Sequence, residues 1–261
     1  MNTVIVPVDF SDTSLNAAKY AAQLMTGHYG VTMVLYHSYG KASEASKATD
    51  MLEELKADLM KDHIVKMEIL AHEESDFVDG LEKAARHRKA DLVIMGITGK
   101  SALAQVFFGS NTLKMAERKA CPVLIVPQHA AFSPLKNVML TSDFKDTVET
   151  TPSTHIKDFL NVFRPNLHIV NVNEDLYISL SERDENEKQE MRKMFADYNP
   201  EFYFMRLFDV DEAISLFADS RNIDLIIVIQ KNNSFISKIL KNSRTKTLSY
   251  QSRMPILVMH E

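Results

Sequence analysis

Hydrophobic positions along this chain recur with two alternating periods. Residues 3–8 form a largely β-branched run that predicts a buried strand, and residues 12–26 carry Leu15, Ala18, Ala22 and Met25 at helical spacing behind a Ser11 or Asp12 cap. A second strand is expected at 31–37 and a long helix at 43–62, with Ala48, Leu52, Leu55 and Leu59 on one face. The third strand falls at 64–70, a helix at 75–88 runs through Phe77, Val78, Leu81 and Ala85, and a fourth strand occupies 91–95. A helix at 110–119 and a strand at 122–126 complete the series. Strands alternating with helices predict a parallel sheet covered on both faces, with right-handed crossovers.

The series occurs twice. Asp91-Leu-Val-Ile-Met and Asp224-Leu-Ile-Ile-Val lie 133 residues apart, and Cys121-Pro-Val-Leu-Ile-Val matches Met254-Pro-Ile-Leu-Val-Met at the same offset. Val4-Ile-Val-Pro-Val-Asp9-Phe-Ser matches Val138-Met-Leu-Thr-Ser-Asp143-Phe-Lys at an offset of 134. The second copy then has strands near 137–141, 167–172, 202–207, 224–229 and 255–259. Two domains follow, 1–130 and 135–261, joined by the polar, proline-bounded stretch from Gln128 to Pro134.

Composition narrows the function. With 261 residues, 45% apolar and 25% charged, the chain is long enough for two ordinary cores. A net charge of −5 argues against a general nucleic-acid binder, which needs a basic face. Apolar runs fall short of the roughly 20 residues of a membrane span, and Met1 leads straight into a strand pattern, so a cytoplasmic protein is expected. The single cysteine, Cys121, excludes an internal disulfide and a multi-cysteine zinc site, and beside Pro122 it reads as a small buried side chain. The nine histidines show no metal-ligand spacing on one helix, and the fourteen methionines read as core filling. His37, closing an apolar strand, reads as a packed side chain rather than a base. The charge run 181–190 reads as a solvated helix face.

Candidate chemistry gathers behind the fourth strand. Gly96-Ile97-Thr98-Gly99 is followed after nine residues by Gly109-Ser110, where a helical pattern takes over. All seven glycines lie in the first half of the chain, and three of them are in this one loop. Glycine permits positive φ and close approach of a ligand to the backbone, and the amides of a helix N-terminus attract anions. A plain reading makes Ser110 a helix cap and leaves the three glycines unaccounted for. Gly99-Lys100-Ser101 resembles the end of a Walker A loop, but the earlier glycine of that motif would be Ile94, inside a strand. A dinucleotide fingerprint after the first strand and a Gly-x-Ser-x-Gly elbow are both missing.

Asp9 in Val-Pro-Val-Asp-Phe-Ser, Leu35-Tyr36-His37 at the second strand and the G-x2-G-x9-G-S spacing resemble the universal stress protein family, as a tandem pair spanning nearly the whole chain. The resemblance implies an adenine nucleotide alpha hydrolase-like α/β fold, with two five-stranded parallel sheets of order 3-2-1-4-5 completing a pseudo-dimer. It leaves room for a homodimer of such chains. The glycine spacing is that of the ATP-binding branch, so the resemblance implies ATP, ADP or AMP with Mg²⁺ in the first half. Carried over by position, Pro7, Val8 and Asp9 would run along adenine and ribose. Ser38, just past the second strand, would stand on the adenine side, in a place where relatives often have a small apolar residue. Met95 and Gly96 would flank base and ribose, and Gly99, Lys100, Gly109, Ser110 and Asn111 would gather the phosphates. Asp9 also fits a helix cap, and Lys100 fits a solvated loop lysine.

The second copy departs from this pattern. Ile229 stands opposite Gly96, Asn232 opposite Gly99 and Asn242 opposite Gly109, with only Ser243 kept opposite Ser110. Asparagine tolerates left-handed φ, but Ile229 puts a branched side chain where a nucleotide needs bare backbone. The expectation is one nucleotide per chain, a regulatory stress-response role and, at most, slow ATP hydrolysis. Two alternatives stand beside it. One is an adenylating enzyme of the same superfamily, although Asp9-Phe-Ser-Asp-Thr-Ser replaces the Ser-Gly-Gly-x-Asp-Ser-like loop such enzymes carry. The other is an adaptor that binds no nucleotide.

Overall fold

Runs of valine and isoleucine bounded by capped helices fold here as the periodicity requires. The computed structural model describes residues 1–97, 110–173, 182–206, 210–230 and 253–261. The chain divides into two compact units, Met1–Phe132 and Ser133–Glu261.

The first unit runs β1 (Thr3–Pro7), α1 (Asp12–Met25), β2 (Thr32–Tyr39), a 3-10 turn (Ala42–Glu44), α2 (Ala45–Asp62), β3 (Lys66–Glu73), α3 (Phe77–His87), β4 (Leu92–Ile97), α4 (Ser110–Glu117) and β5 (Val123–Pro127). Its strands are parallel in the order β3-β2-β1-β4-β5. β1 and β4 are therefore neighbours although the chain leaves them in opposite directions. Val4, Ile5, Val6, Val93 and Ile94 are wholly buried, as strands covered on both faces must be. α1 lies against this sheet through Ala17, Ala18, Ala21 and Ala22, side chains small enough for close approach. Ser11 caps α1 by accepting from the Ser14 amide at 3.3 Å. Asp76 caps α3, accepting from the Val78 and Asp79 amides at 2.9 and 3.0 Å.

The second unit runs β6 (Asn137–Thr141), α5 (Thr147–Thr150), α6 (Ser153–Phe163), β7 (Asn166–Asn173), α7 (Glu182–Met194), a 3-10 turn (Ala196–Tyr198), β8 (Glu201–Arg206), α8 (Val210–Arg221), β9 (Leu225–Gln230) and β10 (Ile256–His260). Its parallel order, β8-β7-β6-β9-β10, is the same topology. The repeat extends to single hydrogen bonds. Asp91 accepts from the amides of Asn2 and Thr3 at 2.6 and 2.9 Å, and Asp224 accepts from those of Lys136 and Asn137 at 2.8 and 3.0 Å. Each carboxylate staples the start of its unit's first strand. Lys89 and Asn222 both turn the chain through a positive φ of 49° at matching places.

Some expected boundaries move. β2 extends to Tyr39, so Ser38 lies inside the strand and not past it. β3 starts at Lys66 because Val65 is the first buried residue there, while Ile64 is 66% exposed. The larger departure is in the second unit, where the helix corresponding to α1 is broken into α5 and α6 around Pro152. Pro152 stands immediately before the first residue of α6, where a proline interrupts a helix.

Candidate functional site

Paired residues of parallel strands share a face of the sheet. Pro7 is in register with Tyr36, whose ring meets Phe77 of α3 at 6.3 Å between centroids, so Pro7 and Tyr36 look toward α3. Ser38, two residues on, shares that face. Gly96 looks the other way: a Cβ there would lie 2.6 Å from the Thr13 carbonyl oxygen of α1. Met95, its neighbour in β4, therefore faces the α3 side with Pro7 and Ser38. Ligands of open parallel sheets bind beyond the carboxyl ends of strands where the chain order reverses, and in this unit that point is the gap between β1 and β4.

The β1 lip of the gap is a polar turn. Asp9 Oδ1 accepts from the Ser11 amide at 3.0 Å and from the Ser11 hydroxyl at 2.6 Å. Partial burial opposes ionisation of Asp9, but hydrogen bonds from Ser11 and Ser14 together outweigh it and hold the carboxyl below its ordinary value. Asp9 is thus an anion at neutral pH. Phe10 follows with φ 62° and packs on the His37 ring at 5.0 Å. His37 Nδ1 lies 2.7 Å from the Val8 carbonyl, which only accepts, so this nitrogen carries the proton and His37 fixes the end of β1.

The β4 lip is the start of α4. The Thr112 hydroxyl donates to the Gly96 carbonyl at 2.9 Å and docks the first turn of α4 on the strand tip. A helix N-terminus offers unpaired amides and the positive end of the helix dipole. At its far end α4 is tied to α3 by Arg118, whose Nη2 is 2.8 Å from Asp79 and whose Nε is 3.6 Å from Glu82.

Residues 1–127 match the sequence model described as the universal stress protein family. The first unit is a domain of that family. The chain is 28% identical over 138 residues to a universal stress protein of Methanocaldococcus jannaschii, a match covering 47% of this chain and 80% of the relative. It is 29% identical over 134 residues to a universal stress protein of Thermus aquaticus, covering 48% of this chain and 97% of that protein. The fold as a whole is similar to a crystal structure of a universal stress protein from Archaeoglobus fulgidus. That likeness has a TM-score of 0.70 at 17% identity, over 99% of this chain and 98% of the other.

Within this universal stress protein unit, Pro7, Ser38 and Met95 lie on the sheet face that looks toward α3, and Asp9 follows the end of β1 in the turn that leads to α1. Val8 is buried and joined to the end of β2, its amide donating to the Tyr36 carbonyl at 2.8 Å. Ser110 opens α4 and Asn111 follows it, exposed. Gly99, Lys100 and Gly109 lie outside the described residues. Gly96 has a structural reason to be glycine beside the one its motif suggests. It is a regular strand residue in register with Val126, it does not take up positive φ, and its missing side chain makes room for the first turn of α1. Sequence reasoning missed Thr112. Its signal was present, because a threonine recurs 133 residues later as Thr245.

In the second unit Ile229 takes the place of Gly96, and it is buried. A Cβ at the matching place in the first unit would crowd the first turn of α1, and in this unit the matching helix is in two pieces. The short α5 is held elsewhere: Glu187 of α7 accepts from the Thr147 amide at 2.9 Å and its hydroxyl at 2.6 Å, and Arg183 pairs with Asp146 at 3.2 Å. Phe144, the counterpart of Phe10, packs against Phe204 at 5.1 Å, beneath the Lys188 ammonium of α7 at 5.6 Å. The expected solvated helix thus has a working inner face. Among the described residues no three His, Cys, Asp or Glu side chains gather as a metal site, and no helix is long and apolar enough to cross a membrane.

Proposed function

We propose that the first unit binds an adenine nucleotide in the gap between β1 and β4, and that the chain acts as a nucleotide-responsive regulatory protein rather than a dedicated enzyme. The observation that carries this reading is the docking of the α4 N-terminus on the tip of β4, beside the strand that ends in the ionised carboxylate of Asp9. The two lips suit the two ends of a nucleotide. Phosphates take the amides of the α4 first turn together with the glycine loop, and a ribose hydroxyl donates to Asp9. Pro7 and Met95 offer an apolar floor for the base, with Ser38 as the polar group nearest in the strand pattern. ATP is the species favoured by the glycine spacing, and Mg²⁺ would come bound to its phosphates, which neutralise it without a protein cage. The second unit, with Ile229 in place of Gly96 and α7 drawn over its first loop, serves as a structural partner.

Isothermal titration of the intact chain with ATP and Mg²⁺ tests this. One nucleotide per chain is expected, together with loss of binding in Gly109→Val. No binding refutes the nucleotide reading, and two nucleotides per chain refute the role given to the second unit.

A further inference from the structure

We infer that Thr112 is a positioning residue for the nucleotide site proposed above, setting where the first turn of α4 stands at the mouth of the gap. Three observations lead there. First, the direction of the Gly96 carbonyl follows from its neighbour. The Gln128 amide donates to the Ile97 carbonyl at 3.0 Å, so Ile97 points toward β5. Carbonyls alternate along a strand, so that of Gly96 points toward β1. There β1 pairs with β4 at Leu92 and Val93; continuing that register brings Val8 opposite Gly96, and the next amide, that of Asp9, donates to the Ser14 hydroxyl at 3.2 Å and not to β4. The Gly96 carbonyl would be left without a ladder partner on the floor of the gap. Thr112 takes it.

Second, the hydroxyl of Thr112 finds its partner outside its helix, since as the third residue of α4 it has no carbonyl one turn back within it. A helical threonine hydroxyl commonly bonds the carbonyl one turn back in its own helix. Thr49 and Thr26 do so here, on Ala45 and Ala22 at 3.0 and 2.7 Å. Thr112 instead reaches sixteen residues back to another element, and it is 97% buried in doing so, being only 3% exposed. Third, Gly96 bears on both lips at once. Its bare Cα seats the first turn of α1, which carries the Asp9–Ser11 turn, while its carbonyl seats the first turn of α4. The width of the gap is set through this one peptide.

This inference rests on the nucleotide reading, and the test separates the two. ATP with Mg²⁺ is titrated into wild-type chain, Thr112→Val and Thr112→Ser, and amide exchange over residues 111–115 is followed in the free proteins. Valine keeps the shape and loses the donor; serine keeps the donor. The expectation is a loss of about tenfold in ATP affinity for Thr112→Val, recovery to near wild type in Thr112→Ser, and faster exchange in the valine variant alone. A wild type that binds ATP while Thr112→Val binds equally well overturns this inference and leaves the nucleotide reading intact. Equal weakening in the valine and serine variants also overturns it, since the hydroxyl would then not matter. A wild type that binds no ATP refutes the nucleotide reading, and this inference falls with it.

Discussion

Gly96→Ala is a sharp test of how the first unit is put together. The added Cβ would sit 2.6 Å from the Thr13 carbonyl oxygen, 2.8 Å from Thr13 Cγ2 and 3.0 Å from the Thr13 carbonyl carbon. Two of these three atoms are backbone in the first turn of α1, so no rotamer change relieves the contact. The turn itself must lift off β4, and Ala17, Ala18 and Ala21 behind it have no solvent exposure to give up. Overpacking of this kind costs about 1–3 kcal/mol. Removing a glycine from the unfolded chain returns about 0.4–1 kcal/mol, leaving a net loss of about 1–2 kcal/mol. For a unit of this size that lowers the melting temperature by about 2–8 °C. The assay is thermal unfolding followed by circular dichroism, with hydrogen exchange read over residues 12–16. An alanine variant as stable as wild type, with unchanged exchange there, would show that Gly96 does not seat α1.

Three other outcomes follow from buried groups. His168 stands where the first unit has Val34; burial pushes it below the ordinary histidine value, the facing Glu201 carboxylate at 3.8 Å only partly opposes this, and Arg221 adds to it. A histidine held neutral by folding is protonated more readily in the unfolded chain, so the second unit loses stability as pH falls below about 6.5, and His168→Val flattens that slope in denaturation measured from pH 7.5 to 5; an unchanged slope refutes the assignment. Gly80→Ala places a Cβ 2.7 Å from the Tyr36 hydroxyl, a buried group without a hydrogen-bond partner whose pKa burial raises to about 12, and 2.7 Å from Glu74 Cγ. Tyr36→Phe should be neutral or stabilising on its own and should relieve part of the Gly80→Ala defect, the rest coming from Glu74, and additive effects in urea denaturation would disprove the contact with Tyr36. Burial pushes the Cys121 thiol to about 12, so a thiol reagent at pH 8 should label it only when the first unit opens. Rapid labelling of the native chain would contradict its burial.

Much of this fold can be read from spacing alone. The β-branched runs at 3–8 and 91–95 and their copies at 138 and 225 become central strands because only a sheet covered on both faces buries so continuous a run. The Asp91 and Asp224 staples were visible as a repeat but not as a function, since sequence does not tell which amides a carboxylate will accept. Gly96 shows where such reading stops. A bare Cα serves a close ligand and a close helix equally, and only the position of Thr13 separates the two. The break between α5 and α6 falls at Pro152, but the hold of Glu187 on Thr147, 40 residues away in the chain, is beyond the reach of any local pattern. Thr112 was hidden for the same reason, because its partner lies on another element.

Ile229 gives the two copies unequal evolutionary freedom. The first can lose its glycine in one step, by gaining any side chain at all. The second cannot gain one so simply: Ile229→Gly would empty a packed volume without joining α5 and α6 across Pro152. Divergence after the duplication therefore works as a ratchet, and a descendant of this chain that needed two working copies would reach them more easily by duplicating the first again than by repairing the second.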